Sequence, residues 1–231
     1  MPEPLPQDTP LSPATFLFVV FLFLLWGGNV VAIKVGLRGL PPLGMAALRF
    51  VLAGLFLAAW MRAQAIPFRP ARREMLHHTI NGLSFAAQIA LFYIGVKHTS
   101  ASHASLLINS NPFFVLLLAH FFVIGDRLTA QKLSGLTLAF IGVAFLFADQ
   151  MMGGRWLGNA LILGSAALLG GRIVYVKRLI ATIEPSRVVF WQMIVGVPLF
   201  LWASRLTEGG YAWHFFPAVT VAVLFQGLVV G

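Results

Sequence analysis

The chain has no cysteine among its 231 residues, which excludes disulfides and thiolate metal sites and leaves the redox state of its compartment unmarked. Charge is scarce as well: Asp, Glu, Lys and Arg make up 10% of the residues, against about a quarter in a soluble domain. Hydrophobic residues make up 59% and mean hydropathy is +0.87, a composition that excludes an ordinary soluble globule and fits a bundle of membrane spans. Acidic residues are the scarcest charged group. There are seven (Glu3, Asp8, Glu74, Asp126, Asp149, Glu184 and Glu208), all outside the interiors of the apolar runs. A dedicated intramembrane cation site would lack its counter-charge, which favours neutral, zwitterionic or anionic solutes. An intramembrane enzyme is disfavoured for a related reason: its chemistry needs converging titratable groups, and the runs hold no acid, nucleophile–base pair or metal cluster. His77-His78 does not supply a metal site, because adjacent residues on a helix point apart and no carboxylate joins them. The net charge of +9 reads as positive loops on one membrane face rather than a nucleic-acid surface, since the basic residues sit between apolar runs. No cofactor is called for.

What the chain does have is length in its apolar runs. Stretches long enough to cross about 30 Å of hydrocarbon cover 14–36, 42–61, 75–96, 100–124, 130–148, 157–176 and 186–204. An eighth begins near Pro217 and would rise only about 22 Å as a helix, so it reads as truncated at Gly231. Residues 1–13, with Pro2, Pro4, Pro6, Pro10 and Pro13, read as a disordered lead. A cleavable signal is disfavoured, because no Lys or Arg precedes the first run and no small-x-small site follows it.

Residues 24–62 are echoed by 167–205, a shift of about 143 positions. Leu25-Trp26-Gly27-Gly28 returns as Leu168-Leu169-Gly170-Gly171, Lys34 as Lys177, Pro42 as Pro185 and Arg62 as Arg205. Five crossings lie between the copies, so they run through the bilayer in opposite directions. The expected fold class is an all-α integral membrane bundle of two inverted five-helix repeats, the first over 14–149 and the second, incomplete, over 156–231. Such inverted repeats characterise secondary transporters, with the solute site between the repeats near the midplane.

Basic residues set the orientation. One set of alternate loops holds Arg62, Arg69, Arg72, Arg73, Arg127, Lys132, Lys177, Arg178 and Arg187, and the other holds Lys34, Arg38, Lys97, Arg155 and Arg205. Nine against five places the N-terminus in the cytoplasm. Trp60, Trp156, Trp202 and Trp213 fall near span ends, as an interfacial belt requires.

Several of these stretches resemble the drug/metabolite transporter superfamily, specifically its EamA-type exporters. Leu25-Trp26-Gly27-Gly28-Asn29 resembles the family's opening helix, and Leu40-Pro41-Pro42 with Ala47-Leu48-Arg49-Phe50 its second. The densest match runs from His98-Thr99-Ser100-Ala101-Ser102 through Asn111-Pro112-Phe113 to Gly125-Asp126-Arg127-Leu128-Thr129 and Gly135 to Gly142. The family usually carries Glu at Asp126 and a hydroxyl residue at Asn111. The resemblance implies ten helices, a bacterial inner-membrane location and export of amino acids or related metabolites by alternating access. It also sharpens the argument from missing acids, because the small multidrug exporters of the same superfamily use an intramembrane carboxylate that this chain lacks.

Candidate solute-binding residues are the polar groups in the spans. His77, Asn81, Ser84 and Gln88 share one helix face, and so do Ser102, Ser105 and Asn109. Amides in hydrocarbon need partners, so both stripes face protein or a water-filled cavity. Asn111-Pro112 interrupts the fourth span. Proline frees the carbonyl of Ile108, which either contacts solute or is taken up by a nearby Ser or Asn. Arg49 lies one and a half to two turns into the second span, where it either snorkels to the helix end or receives a solute carboxylate. Its repeat partner is Gln192, and Arg172 is the partner of Asn29. The candidate site is therefore Asn29, Arg49, Gln88, Ser105, Asn109 and Asn111, with Pro112 as the helix break. Proton coupling would draw on His103 or His120. Gly135, Ala139 and Gly142 form a small-residue stripe for packing within the bundle or against a second copy. The expected partners are a small solute and the lipid bilayer. Two other readings stand beside the exporter: a fragment of such a carrier without transport activity, and the disfavoured intramembrane enzyme.

Overall fold

The computed structural model describes residues 12–122, 129–151, 155–209 and 212–230, apart from the side chains at 131, 139, 140, 143, 144 and 146–151. The Asp126-Arg127 part of the fourth-to-fifth-span motif, and the side chains of Asp149 and Ala139, lie outside the described residues. The helices are α1 (Pro13–Gly36), α2 (Pro42–Ala63), α3 (Arg72–His98), α4 (Ala101–Ile108), α5 (Asn111–Phe122), α6 (Ala130–Met151), α7 (Trp156–Leu179), α8 (Pro185–Thr207) and α9 (Pro217–Leu224), which continues as a π-helical segment, Phe225–Val230. Among the described residues six helices are long and apolar enough to cross a membrane: α1, α2, α3, α4 with α5, α7 and α8.

Helix starts follow from the sequence. Pro13, Pro42, Pro185 and Pro217 occupy first helical positions, where the missing N–H would have had no partner and φ is already helical. The fourth run breaks at Asn109-Ser110 into α4 and α5, and Asn111-Pro112 begins α5. There the Asn111 side-chain amide donates to the Ile108 carbonyl at 3.0 Å, satisfying the acceptor that proline leaves open.

Hydrogen bonds between helix ends fix the directions. Lys34 Nζ donates to the Lys97 carbonyl, so α1 and α3 finish together. The Thr99 hydroxyl donates to Asn159 Oδ1 at 2.6 Å, placing the start of α7 at that same, distal end. Glu208, just past α8, accepts from the Leu43 and Gly44 amides at the start of α2. At the opposite, proximal end Arg187 at the start of α8 meets Glu74 at the start of α3. Hence α1 and α7 run antiparallel, and so do α2 and α8. The helices α7 and α8 both pack on α3; correspondingly α1 and α2 both pack on α9 and its π segment.

The core is closed by glycines. A Cβ on Gly158 would lie 2.7 Å from the His98 carbonyl carbon, and one on Gly95 would lie 2.8 Å from Ile162 Cδ1, so α3 and α7 approach closely. Gly82 against Val195 does the same for α3 and α8. Phe50, Phe85 and Phe200 fill the centre, with Phe50 and Phe85 edge-to-face at 4.7 Å and Phe50 and Phe200 stacked at 5.9 Å. Gly135 and Gly142 on α6 have nothing within 4 Å of an ideal Cβ among the described residues.

Candidate functional site

Half of the α3 polar stripe turns inward: Asn81 and Gln88 are buried, Ser84 is half-buried and His77 is exposed. Gln88 finds partners on α7 and Asn81 on α8, because an amide within a span must be satisfied by protein. The Gln88 side-chain amide donates to Ser165 Oγ at 3.1 Å, and that hydroxyl returns a bond to the Gln88 carbonyl at 2.9 Å. Arg172 of α7 completes the group. It donates from one terminal nitrogen to Gln88 Oε1 at 3.1 Å and from the other to Gln192 Oε1 at 2.6 Å. Asn81 reaches the same Gln192 oxygen at 3.4 Å. The Arg172 guanidinium also lies over the Phe85 ring, 4.9 Å from its centroid, within cation–π range.

A second network occupies the other half of the bundle. Arg49 is buried rather than snorkelling to the end of α2, and donates to the Tyr93 hydroxyl at 3.3 Å. Tyr93 donates to Gln226 Oε1 at 2.9 Å, and the Gln226 amide donates to the Asn29 carbonyl at 3.2 Å. Arg49 lies over the Phe50 ring at 4.8 Å. The π segment makes this meeting geometrically feasible: its widened turn buries Gln226 and sets Gly227 against Leu52 and the Arg49 carbonyl.

The two networks share a chemistry. Neither guanidinium has a carboxylate partner among the described residues; their acceptors are neutral amides and a phenol. Each network also leaves two buried side-chain atoms unsatisfied: Arg49 Nε and Asn29 Oδ1 in one, Arg172 Nε and Asn81 Oδ1 in the other. An unpartnered buried polar atom costs about 1–3 kcal/mol. Each network thus presents a spare donor on a cation and a spare acceptor on an amide.

Among the described residues, the Arg172 network adjoins an open cavity. A space of about 470 Å³ between α7 and α8 is lined by Arg172, Gln192 and Lys177 and walled by Leu169, Ile173, Val176 and Val188. Met45, 143 residues before Val188, packs its side chain against Gly36. A second space, about 350 Å³ and lined by apolar residues, lies between α2 and α8, where Pro198 joins its wall.

The sequence-predicted residues are therefore divided. Asn29 and Arg49 belong to one network and Gln88 to the other. Ser105 is half-buried, and Asn109 is exposed and donates to the Ser105 carbonyl of its own helix at 2.7 Å. Asn111 caps Ile108, and its carbonyl packs against Gly170, two residues before Arg172. His103 Nδ1 pairs with Ser100 Oγ at the start of α4, and His120 is exposed on α5. Sequence reasoning left Tyr93, Ser165 and Gln226 out of the site. Gln226, an amide in an apolar run, was the one readable signal among them.

Comparison with known proteins points one way. The EamA-like transporter family matches residues 14–148. An uncharacterized transporter of Archaeoglobus fulgidus is 32% identical over 137 residues, 59% of this chain and 46% of its own length. A probable amino-acid metabolite efflux pump of Escherichia coli K12 is 29% identical over 195 residues, 82% of this chain and 63% of its own. The Bacillus subtilis uncharacterized transporter YoaV is 23% identical over 91% of this chain. A solved structure superposes with a TM-score of 0.68 at 19% identity, over 94% of this chain and 75% of its own. The chain spans between about half and two thirds of the length of the first two relatives.

Proposed function

Because this chain belongs to the EamA-like transporter family, we propose that it is the solute-binding part of an inner-membrane exporter of amino acids or related small metabolites that works by alternating access. The observation that carries the substrate class is a pair of arginines, Arg49 buried and Arg172 half-buried, each held by neutral groups. A carboxylate is the ligand that a guanidinium with a free N–H accepts best. An α-ammonium group can in turn donate to the unpaired Asn81 or Asn29 oxygen, so a zwitterion matches both vacancies. The aliphatic walls beside Arg172 suit an apolar side chain.

The inverted-repeat reading is part of the proposal, and several coincidences of register support it. Helices α1 and α2 start at 13 and 42, and α7 and α8 start at 156 and 185, each 143 residues later. The apolar groove between α2 and α8 is lined by Phe50, Val51, Gly54 and Leu55 and by their counterparts at the same shift, Met193, Ile194, Val197 and Pro198. The charge itself is exchanged between the halves: Asn29 and Arg49 answer to Arg172 and Gln192. One half buries its arginine and the other leaves it beside an open cavity, an asymmetry that alternating access requires of two similar halves.

Binding to the purified chain and efflux from loaded proteoliposomes test this separately. A panel of amino acids should bind and a lipophilic quaternary ammonium ion should not. Binding without efflux would identify the chain as a carrier fragment. Preferential binding of the cation would overturn the substrate class.

A further inference from the structure

We propose that His78 is a proton-binding site, and that a proton bound there releases the clasp holding α3 to α8 at the proximal end of the bundle. The inference stands apart from solute transport and from the two arginine networks.

His78 is fully buried, and neither ring nitrogen has a hydrogen-bond partner. A neutral imidazole carries one donor and one acceptor, and burying both unpaired is unfavourable. Burial and the nearby Arg187 guanidinium oppose a charged ring, and Glu74 is the group that favours one. Glu74, one turn earlier on α3, places its Oε2 3.9 Å from His78 Nε2. A shift of about 1 Å would make that a charge-assisted bond of the usual 2.7–2.9 Å. On the other side the ring lies 5.9 Å from Trp191, tilted by 34°, close enough for an imidazolium to gain from the indole face.

The same carboxylate holds the clasp. Glu74 Oε2 takes Arg187 Nη1 of α8 at 3.4 Å and the Ala71 amide at 3.0 Å, and Arg187 Nη1 also reaches the Arg69 carbonyl at 3.4 Å. Trp191 Nε1 donates to the Phe68 carbonyl at 2.8 Å, tying the loop before α3 to α8. The charged and titratable groups near His78 are Glu74 and His77 from α3 and Arg187 from α8. Of these His77 turns to α7, where it pairs with Tyr175 at 2.9 Å. With His78 neutral, one carboxylate serves one cation. A proton on His78 makes two cations compete for that carboxylate. Arg187, partly exposed at the helix end, is the one that water can receive, so it lets go. Glu74 is also partly exposed and gives the proton a path from solvent to the ring. No bond other than N–H forms, and water at the proximal face supplies the proton.

Two measurements on the 231-residue chain in nanodiscs decide the matter. The first is ¹⁵N-histidine NMR, with the His78 signal assigned by its loss in His78→Gln. That signal should titrate between about pH 5 and 8, and Glu74→Gln should lower its midpoint by at least one pH unit. The second is the distance between spin labels on Ala71→Cys and Ala181→Cys, both exposed positions in a chain without other cysteines. The distance should gain a longer population at pH 5.5 relative to pH 8. His78→Gln should remain short at both pH values, and Arg187→Gln should be long at both. Should His78→Gln not fold, the titration and its response to Glu74→Gln settle the point alone. A His78 signal unchanged from pH 5 to 8, a midpoint indifferent to Glu74→Gln, or a pH-dependent distance that persists in His78→Gln would overturn the proposal.

Discussion

Arg49 and Arg172 stand over neighbouring rings, Phe50 and Phe85, whose centroids are 4.7 Å apart. Two cations from different halves of the chain are thus joined through one aromatic pair at the centre of the bundle. Their roles differ because their access differs. Arg172 adjoins an open cavity and Arg49 is sealed.

Arg172→Gln should therefore weaken binding of a carboxylate solute to this conformation by at least tenfold, the equivalent of about 1.4 kcal/mol, for a charged hydrogen bond worth about 1.5–3 kcal/mol. On the proposed alternating-access cycle Arg49→Gln should affect binding less and efflux more, because that cycle opens its network only after the halves exchange conformations. Arg172→Lys should not restore binding, since an ammonium cannot span the Gln88 and Gln192 oxygens as the planar fork does. Titration calorimetry and vesicle efflux on the three variants check the order. Equal loss of binding in both Gln variants would contradict the assignment of roles.

Much of this was legible in the sequence. Apolar run length and the four prolines at helix starts mark the helices, because both act within a few residues. The inward turn of the α3 stripe was readable from the 3.6-residue period of Asn81, Ser84 and Gln88. Which polar groups meet was not. Gln88 and Arg172 are 84 residues apart, and Tyr93 and Gln226 are 133 apart. Their pairing depends on how far each helix is rotated about its axis, and close contacts such as Gly82 on Val195 and Gly95 on Ile162 set that rotation. Asn109 shows the converse. Its period points to the same face as Ser105, but a bond to its own helix satisfies it locally.

Glycine substitutions should separate packing from open surface. Gly158→Ala puts a methyl against the His98 and Thr99 backbone, under 3 Å away, where a flexible side chain cannot yield. It should lower the melting temperature in detergent by several degrees, as overpacking costs about 1–3 kcal/mol. Gly142→Ala meets nothing within 4 Å and should leave the monomer's melting temperature unchanged. If that face is a seam between copies, the oligomer distribution will shift instead. Light scattering on the same samples reads this out.

Orientation is a prediction from the basic residues of the proximal end. The loop before α3 carries Arg69, with Arg72 and Arg73 in the first turn of the helix, so the positive-inside bias predicts a cytoplasmic proximal end. A cysteine at Ala71, which is exposed, should resist an impermeant maleimide in intact cells and react after lysis. Labelling of intact cells would reverse the topology and the direction of every crossing.

The distal end rests on Glu208. Helix α2 begins with Pro41-Pro42, and its N-cap has no side chain able to accept a hydrogen bond. The first N–H groups of a helix need acceptors, and the helix dipole favours an anion there. Glu208 supplies one from 165 residues away: its two oxygens take Leu43 N at 3.0 Å and Gly44 N at 3.2 Å, and Ser204 Oγ donates to it at 2.8 Å. Helix α8, by contrast, is capped locally, with Glu184 accepting from Arg187 N at 2.9 Å. The distant cap therefore ties the start of α2 to the end of α8, antiparallel partners that form much of the bundle's centre. Glu208→Ala should cost about 1–2 kcal/mol and lower the melting temperature by several degrees. Glu208→Gln retains one acceptor oxygen but loses the charge, and should fall between wild type and Ala. Ser204→Ala removes only the supporting donor and should cost least. Hydrogen exchange localises the effect: the Leu43 and Gly44 amides should lose protection in Glu208→Ala, while the amides at the start of α8 keep theirs. Equal loss at both helix starts would mean that Glu208 stabilises the bundle generally and is not the cap of α2.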